Sequence, residues 1–152
     1  MMLIWTLRIA IAAIAIFAFR KGGEPERLVA AVLLASAGLD VFNHILFGEP
    51  AFYLVNPGHL VIDVWSMIAL MWIALRANRA WPMWVSAAQI IVVLGHVSKI
   101  VELSLVRYGY YAMTQVPLNV QAAALLIGTI AHMRRQERIG NYNAWRLDRS
   151  WA

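Results

Sequence analysis

Seven ionisable residues lie inside otherwise apolar runs of this sequence: Asp40, His44, His59, Asp63, His96, Lys99 and Glu102. Their types bind metals, carry protons or pair charges. Asp40 and His44 are four residues apart, as are His59 and Asp63, so each pair shares one face of a helix. Ser36 extends the first stripe and Ser66 the second, while Gln89 and His96 share a face of a further helix with Lys99 one step around. Tyr111, Gln115 and Asn119 form a fourth stripe. A charge turned to lipid at a helix centre costs about 2.5–3.5 kcal/mol, so the stripes are expected to face one another.

The charges in that layer do not balance. Asp40, Asp63 and Glu102 are three negatives and Lys99 is one positive, an excess of two. Low dielectric opposes such an excess, and protonated carboxylates, protonated histidines, water at Glu102 or a bound cation would each relieve it. Four readings of the layer stay open. It can be a structural network in which Lys99 pairs with Asp63 or Asp40 and the histidines hydrogen-bond across helices. It can be a metal site of His44, His59, His96 and Asp63, whose ligand types suit zinc, manganese or ferrous iron, although no H-E-x-x-H motif is present. It can ligate haem between two histidines, or form a pocket for a quinone or lipid headgroup with His and Asp as proton partners. The sequence does not choose a cofactor.

Other chemistry is excluded. The chain has no cysteine, which rules out disulfides, thiolate zinc sites, iron–sulfur clusters and thiol nucleophiles. Ser36, Ser66, Ser86, Ser98 and Ser104 stand in helix-like runs with no nucleophile elbow, so hydrolase chemistry has no candidate. Site and composition together read as non-enzymatic.

The elements that must hold these residues are membrane spans. The chain is 62% hydrophobic and 14% charged, where a soluble domain carries about 25% charged residues. Its apolar residues fall in runs of span length broken by short basic or Pro/Gly-rich segments. The spacing predicts an all-α, polytopic helical bundle of about five transmembrane helices over 2–19, 28–47, 59–75, 83–106 and 112–133, with a basic tail over 134–152. Arg20-Lys21 follows the first run and reverses the flanks of a signal peptide, so that run is expected to remain as a span. Arg8 within it is expected to snorkel to the interface. Pro25 and Pro82 suit first helical turns, Gly48-Glu49-Pro50 and Asn56-Pro57-Gly58 bound a short connection, and Pro117 lies inside the fifth span. The connection over 51–55 is apolar enough to dip into the interface, and Trp81, Trp84, Tyr108, Tyr110 and Tyr111 read as interfacial anchors. Gly38, Gly95 and Gly128 are expected where helices approach closely, and Met67, Met71 and Trp72 as bundle or lipid contacts.

Rise per residue puts the seven ionisable groups in one third of the membrane: Asp40 and His44 lie roughly 18 and 24 Å from the basic end of their span. Ten of the thirteen Lys and Arg residues fall after the first span, after the third and in the tail. Only Arg107 lies on the other side, so the N-terminus is expected outside and the C-terminus in the cytoplasm. That placement accounts for the net charge of +5 without nucleic acid. The expected partners are the lipid bilayer and other membrane proteins or a second copy. Trp145 and Trp151 interleave with Arg146 and Arg149, as a tail segment lying on anionic lipid would, or as a frayed end.

Three stretches carry a resemblance: Glu24-Pro25-Glu26-Arg27; Asn78-Arg79-Ala80-Trp81-Pro82-Met83-Trp84; and Gly128-Thr129 with His132 and Arg134-Arg135. Through them the chain resembles small bacterial inner-membrane proteins with no assigned activity. The resemblance implies a bacterial cytoplasmic membrane, and the motifs read as interfacial punctuation. The expected function is an accessory subunit or small-ligand-binding module, with a metal- or haem-dependent redox protein and a small proton- or cation-coupled transporter as alternatives.

Overall fold

In the computed structural model, residues 2–48, 56–101 and 107–146 are described, with side chains from Arg8 onward in the first helix and from Tyr108 onward in the last. Five helices follow one another: α1 (Met2–Lys21), α2 (Glu24–Phe47), α3 (Pro57–Arg76), α4 (Trp81–Val101) and α5 (Arg107–Ile139). Among the described residues four of them, α2 to α5, are long and apolar enough to cross a membrane.

The punctuation residues act locally as their chemistry demands. Pro25 opens α2, and Glu26 reaches back so that its Oε2 accepts the Gly23 N–H at 3.0 Å. Asn56 caps α3 by accepting the Gly58 N–H at 2.9 Å, with Pro57 in the first turn. Gly48 ends α2 at φ 82° and Gly140 follows α5 at φ 70°, a conformation that side chains with a Cβ rarely adopt.

Successive helices pack on one another, and α1 closes against both α2 and α5. Contacts fix the direction: Ser36 meets Ser66 and Asp40 meets His59, so as α2 ascends α3 descends. Gln89 meets Gln121 and His96 meets Tyr110 in the same antiparallel sense. The apolar core of Ala15, Ala18, Val29, Leu33, Leu70, Ile73, Val85 and Leu125 occupies the half of the bundle nearest the basic connections. The other half is tied by polar side chains. Outward positions are apolar, as at Ile45, Val61 and Trp84, and that surface suits lipid.

Several expectations need correction. Helix α5 runs to Ile139, six residues beyond the expected end of its span, and at about 50 Å it is long enough to carry Arg134, Arg135 and Arg138 past a hydrocarbon core of about 30 Å. The tail up to Arg146 packs against the bundle. Trp145 forms a backbone bridge with Ala77, donates its ring N–H to Glu24, and packs 5.9 Å from the Trp72 ring. Gly128 and Gly95 do sit at close approaches, where an added Cβ would meet Trp81 at 2.4 Å and Met113 at 3.0 Å, whereas Gly38 faces open space. The connection over 51–55, Glu102, Arg149 and Trp151 lie outside the described residues.

Candidate functional site

The polar half of the bundle holds two connected but different arrangements. In the first, α3 contributes Asp63, α4 contributes Gln89 and His96, and α5 contributes Tyr110 and Gln121. The His96 Nε2 lies 2.8 Å from Asp63 Oδ2, and its Nδ1 lies 2.9 Å from the Tyr110 hydroxyl. Asp63 Oδ1 accepts from Gln89 Nε2 at 3.0 Å, and Gln89 Oε1 accepts from Gln121 Nε2 at 2.6 Å. The Asp63 carboxylate accepts from the His96 Nε2–H, while the Tyr110 hydroxyl can either donate to Nδ1 or accept from it. His96, Gln121 and Tyr110 are all buried. Both ring nitrogens and both carboxylate oxygens are occupied by this chain's own groups, so the network is closed.

The second arrangement is open. Asp40 and His44 leave α2 one turn apart, and His59 comes from the first turn of α3. Arg8, from α1, holds Asp40 Oδ2 at 2.8 Å. The remaining oxygen, Oδ1, lies 3.3 Å from His59 Nδ1 and 3.5 Å from His44 Nε2, and the two imidazole centroids are 4.9 Å apart. His44 Nδ1 is 3.2 Å from the Gly48 carbonyl, which can only accept, so Nδ1 carries the proton there. On a neutral ring the Nε2 lone pair then faces a carboxylate oxygen. His59 Nε2 is buried with no hydrogen-bond partner among the described residues. Side-chain exposures of 13% to 30% across the four groups leave the cluster in reach of water, as is Asp63 at 23%, whereas His96 at 2% is not.

A third cluster lies at the opposite end of the bundle. Glu26, fully buried, is ion-paired to Arg79 and accepts the Trp81 ring N–H at 3.2 Å. Arg79 lies over the Tyr142 ring, whose hydroxyl is 2.6 Å from His132 Nδ1, and Arg135 stacks on the same ring at 4.2 Å. Burial raises the Tyr142 hydroxyl pKa above its ordinary value, against the lowering effect of Arg79. The three stretches read as interfacial punctuation therefore meet here: Glu26, Arg79, Trp81, Gly128 and His132 belong to one packed group.

The stripes of α2, α3 and α4 meet, but their pairing is not the expected one. The set His44, His59, His96 and Asp63 is divided, since His96 and Asp63 belong to the closed network and His44 and His59 gather on Asp40. Lys99 is buried at 3% exposure, while Asp40 draws its guanidinium from Arg8. Arg8 does not snorkel away, and with it the described layer has two carboxylates, Asp40 and Asp63, against two cations, Arg8 and Lys99. Arg8 thus reduces the excess read from the sequence from two negatives to one, with Glu102 outside the described residues. On α5 the inward residues are Tyr110 and Gln121, while Tyr111 and Asn119 are exposed. Arg8 was detectable in sequence by depth, because it lies about 20 Å from the basic end of α1, level with Asp40. Tyr110 carried no such mark.

No protein-family profile, curated protein or solved structure matches the chain.

Proposed function

We propose that this chain is a multi-pass membrane protein acting as a small-ligand-binding module or accessory subunit, without catalysis of its own, in a bacterial inner membrane with its basic connections in the cytoplasm. Four helices of span length, an apolar outer surface and the segregation of basic residues to one end support the placement. The resemblance to small bacterial inner-membrane proteins supports the compartment. In this reading Asp63, His96, Tyr110, Gln89 and Gln121 are scaffold, and Asp40, His44 and His59 are the binding site.

The observation that carries the reading is the contrast between two histidines. His96 has both nitrogens matched to partners, as a structural histidine in a membrane bundle must. His59 has a buried nitrogen with none among the described residues, and His44 presents an acceptor to another acceptor when neutral. A histidine nitrogen left without a partner among the described residues, beside a network in which His96 is fully matched, supports a binding role.

The test separates the two roles by stability. Asp63→Asn removes the charge and leaves one acceptor oxygen for two donors, His96 Nε2–H and Gln89 Nε2–H, and it is expected to lower the unfolding midpoint of the purified protein in detergent clearly. His44→Gln with His59→Gln is expected to leave it nearly unchanged. Equal damage from both would make the second cluster structural and remove the proposed binding role.

A further inference from the structure

Resting on that binding-site reading, we infer that Asp40 Oδ1, His44 Nε2 and His59 Nδ1 form a three-ligand site for a divalent first-row transition-metal ion, with zinc the best match.

The spacing argues for it first. Zinc bonds of about 2.0–2.2 Å at tetrahedral angles set donor atoms about 3.3–3.5 Å apart. The Asp40 oxygen stands 3.3 Å from one imidazole nitrogen and 3.5 Å from the other. One donor atom from each residue can be chosen so that all lie within 4.8 Å of one another. A shared ion can therefore reach all three with small side-chain adjustments.

The outer contacts argue for it second. A metal-binding histidine turns its other nitrogen to an acceptor that fixes the tautomer, and His44 Nδ1 faces the Gly48 carbonyl in that manner. Gly48, at positive φ, ends α2 and carries that carbonyl. Arg8 holds Asp40 Oδ2 and so orients the carboxylate to present Oδ1 alone. His59 Nε2, buried and without a partner among the described residues, would carry the N–H of a ring bound through Nδ1.

The donor set argues for the class of ion. Two imidazoles and one carboxylate suit zinc, manganese, ferrous iron, cobalt or nickel rather than calcium or magnesium, which prefer all-oxygen shells. Three protein ligands leave a coordination position open for water or an exogenous ligand. The partial exposure of all three side chains gives that position access to water.

The test uses the full chain, purified in detergent and stripped of metal, then titrated with Zn²⁺ against a chromophoric chelator and, separately, loaded with Co²⁺ for its visible d–d bands. One Zn²⁺ per chain is expected, with Co²⁺ bands of tetrahedral or five-coordinate intensity. Asp40→Asn, His44→Gln and His59→Gln should each weaken Zn²⁺ by about tenfold or more, whereas His96→Gln should not. Failure of the wild-type chain to bind Zn²⁺ or Co²⁺ saturably would overturn the metal, as would binding unaffected by His44→Gln and His59→Gln. The first of those results, with a normally stable His44→Gln/His59→Gln protein, would refute the metal yet leave the binding-module reading standing. A severely unstable double variant would refute the binding-module reading itself.

Discussion

Removing the counter-charge of Glu26 gives the most direct measure of what holds the basic end together. Glu26 is fully buried and the Arg79 side chain is 7% exposed, so solvent screening is small and the surface-pair discount does not apply. In Arg79→Met, Glu26 keeps only the Trp81 ring N–H and the Gly23 backbone N–H as donors. A charge stranded in this way costs about 3–5 kcal/mol, or about 6–20 °C in midpoint at about 2–4 °C per kcal/mol for a chain of this size. Glu26→Gln strands the guanidinium instead and should fall in the same range. The double variant Glu26→Gln/Arg79→Met removes both charges, and since Arg79 Nε and Nη2 lack hydrogen-bond partners among the described residues, it should recover most of the loss. Unfolding of all four proteins in mixed detergent micelles, followed by circular dichroism, measures the coupling. Single variants within about 1 kcal/mol of wild type, or a double variant as damaged as their sum, would refute the argument that the pair is a coupled buried ion pair.

Other consequences are independent of that pair. Gln89→Leu should destabilise by about 2–4 kcal/mol, since Asp63 loses a donor and the buried Gln121 loses its acceptor, and thermal denaturation reads it directly. Gly128→Ala should cost about 1–3 kcal/mol by forcing a Cβ against the Trp81 ring, while Gly38→Ala, in open space on α2, should be neutral or slightly stabilising. For the proposed orientation, an impermeant thiol reagent on intact cells should label Val55→Cys and spare Asn78→Cys; the reverse pattern would invert the topology.

Much of the bundle was legible because the signals are local. Pro25, Pro57 and Pro82 with the intervening glycines bound the helices to within a few residues, and four-residue spacing identified the stripe of Asp40 and His44. What spacing cannot give is the neighbour across the interface. It names a face of each helix, yet whether His96 meets Asp40 or Asp63 depends on helix rotation and depth together. The same limit misdirected α5, where Tyr110 and Tyr111 differ by about 100° around the helix, and the inward one is chosen by packing against α4. Glu26 and Arg79, 53 residues apart, carried no pairing signal at all. Arg8 was misread for a different reason. A lone arginine near a span end can reach the headgroups, and only the carboxylate at matching depth on α2 distinguishes an ion pair from snorkelling.

The central claim, that Asp40, His44 and His59 bind while the neighbouring network only supports, meets its most direct test in ligand-induced stabilisation. An ion that binds the folded chain alone, at a hundred times its dissociation constant, adds about 2.7 kcal/mol. Zn²⁺ should therefore raise the unfolding midpoint of the metal-stripped wild-type protein by several degrees, and a chelator should reverse the rise. The same addition to His44→Gln/His59→Gln should leave the midpoint where it was. A midpoint that Zn²⁺ does not move in the wild-type chain, or moves equally in the double variant, would contradict the account.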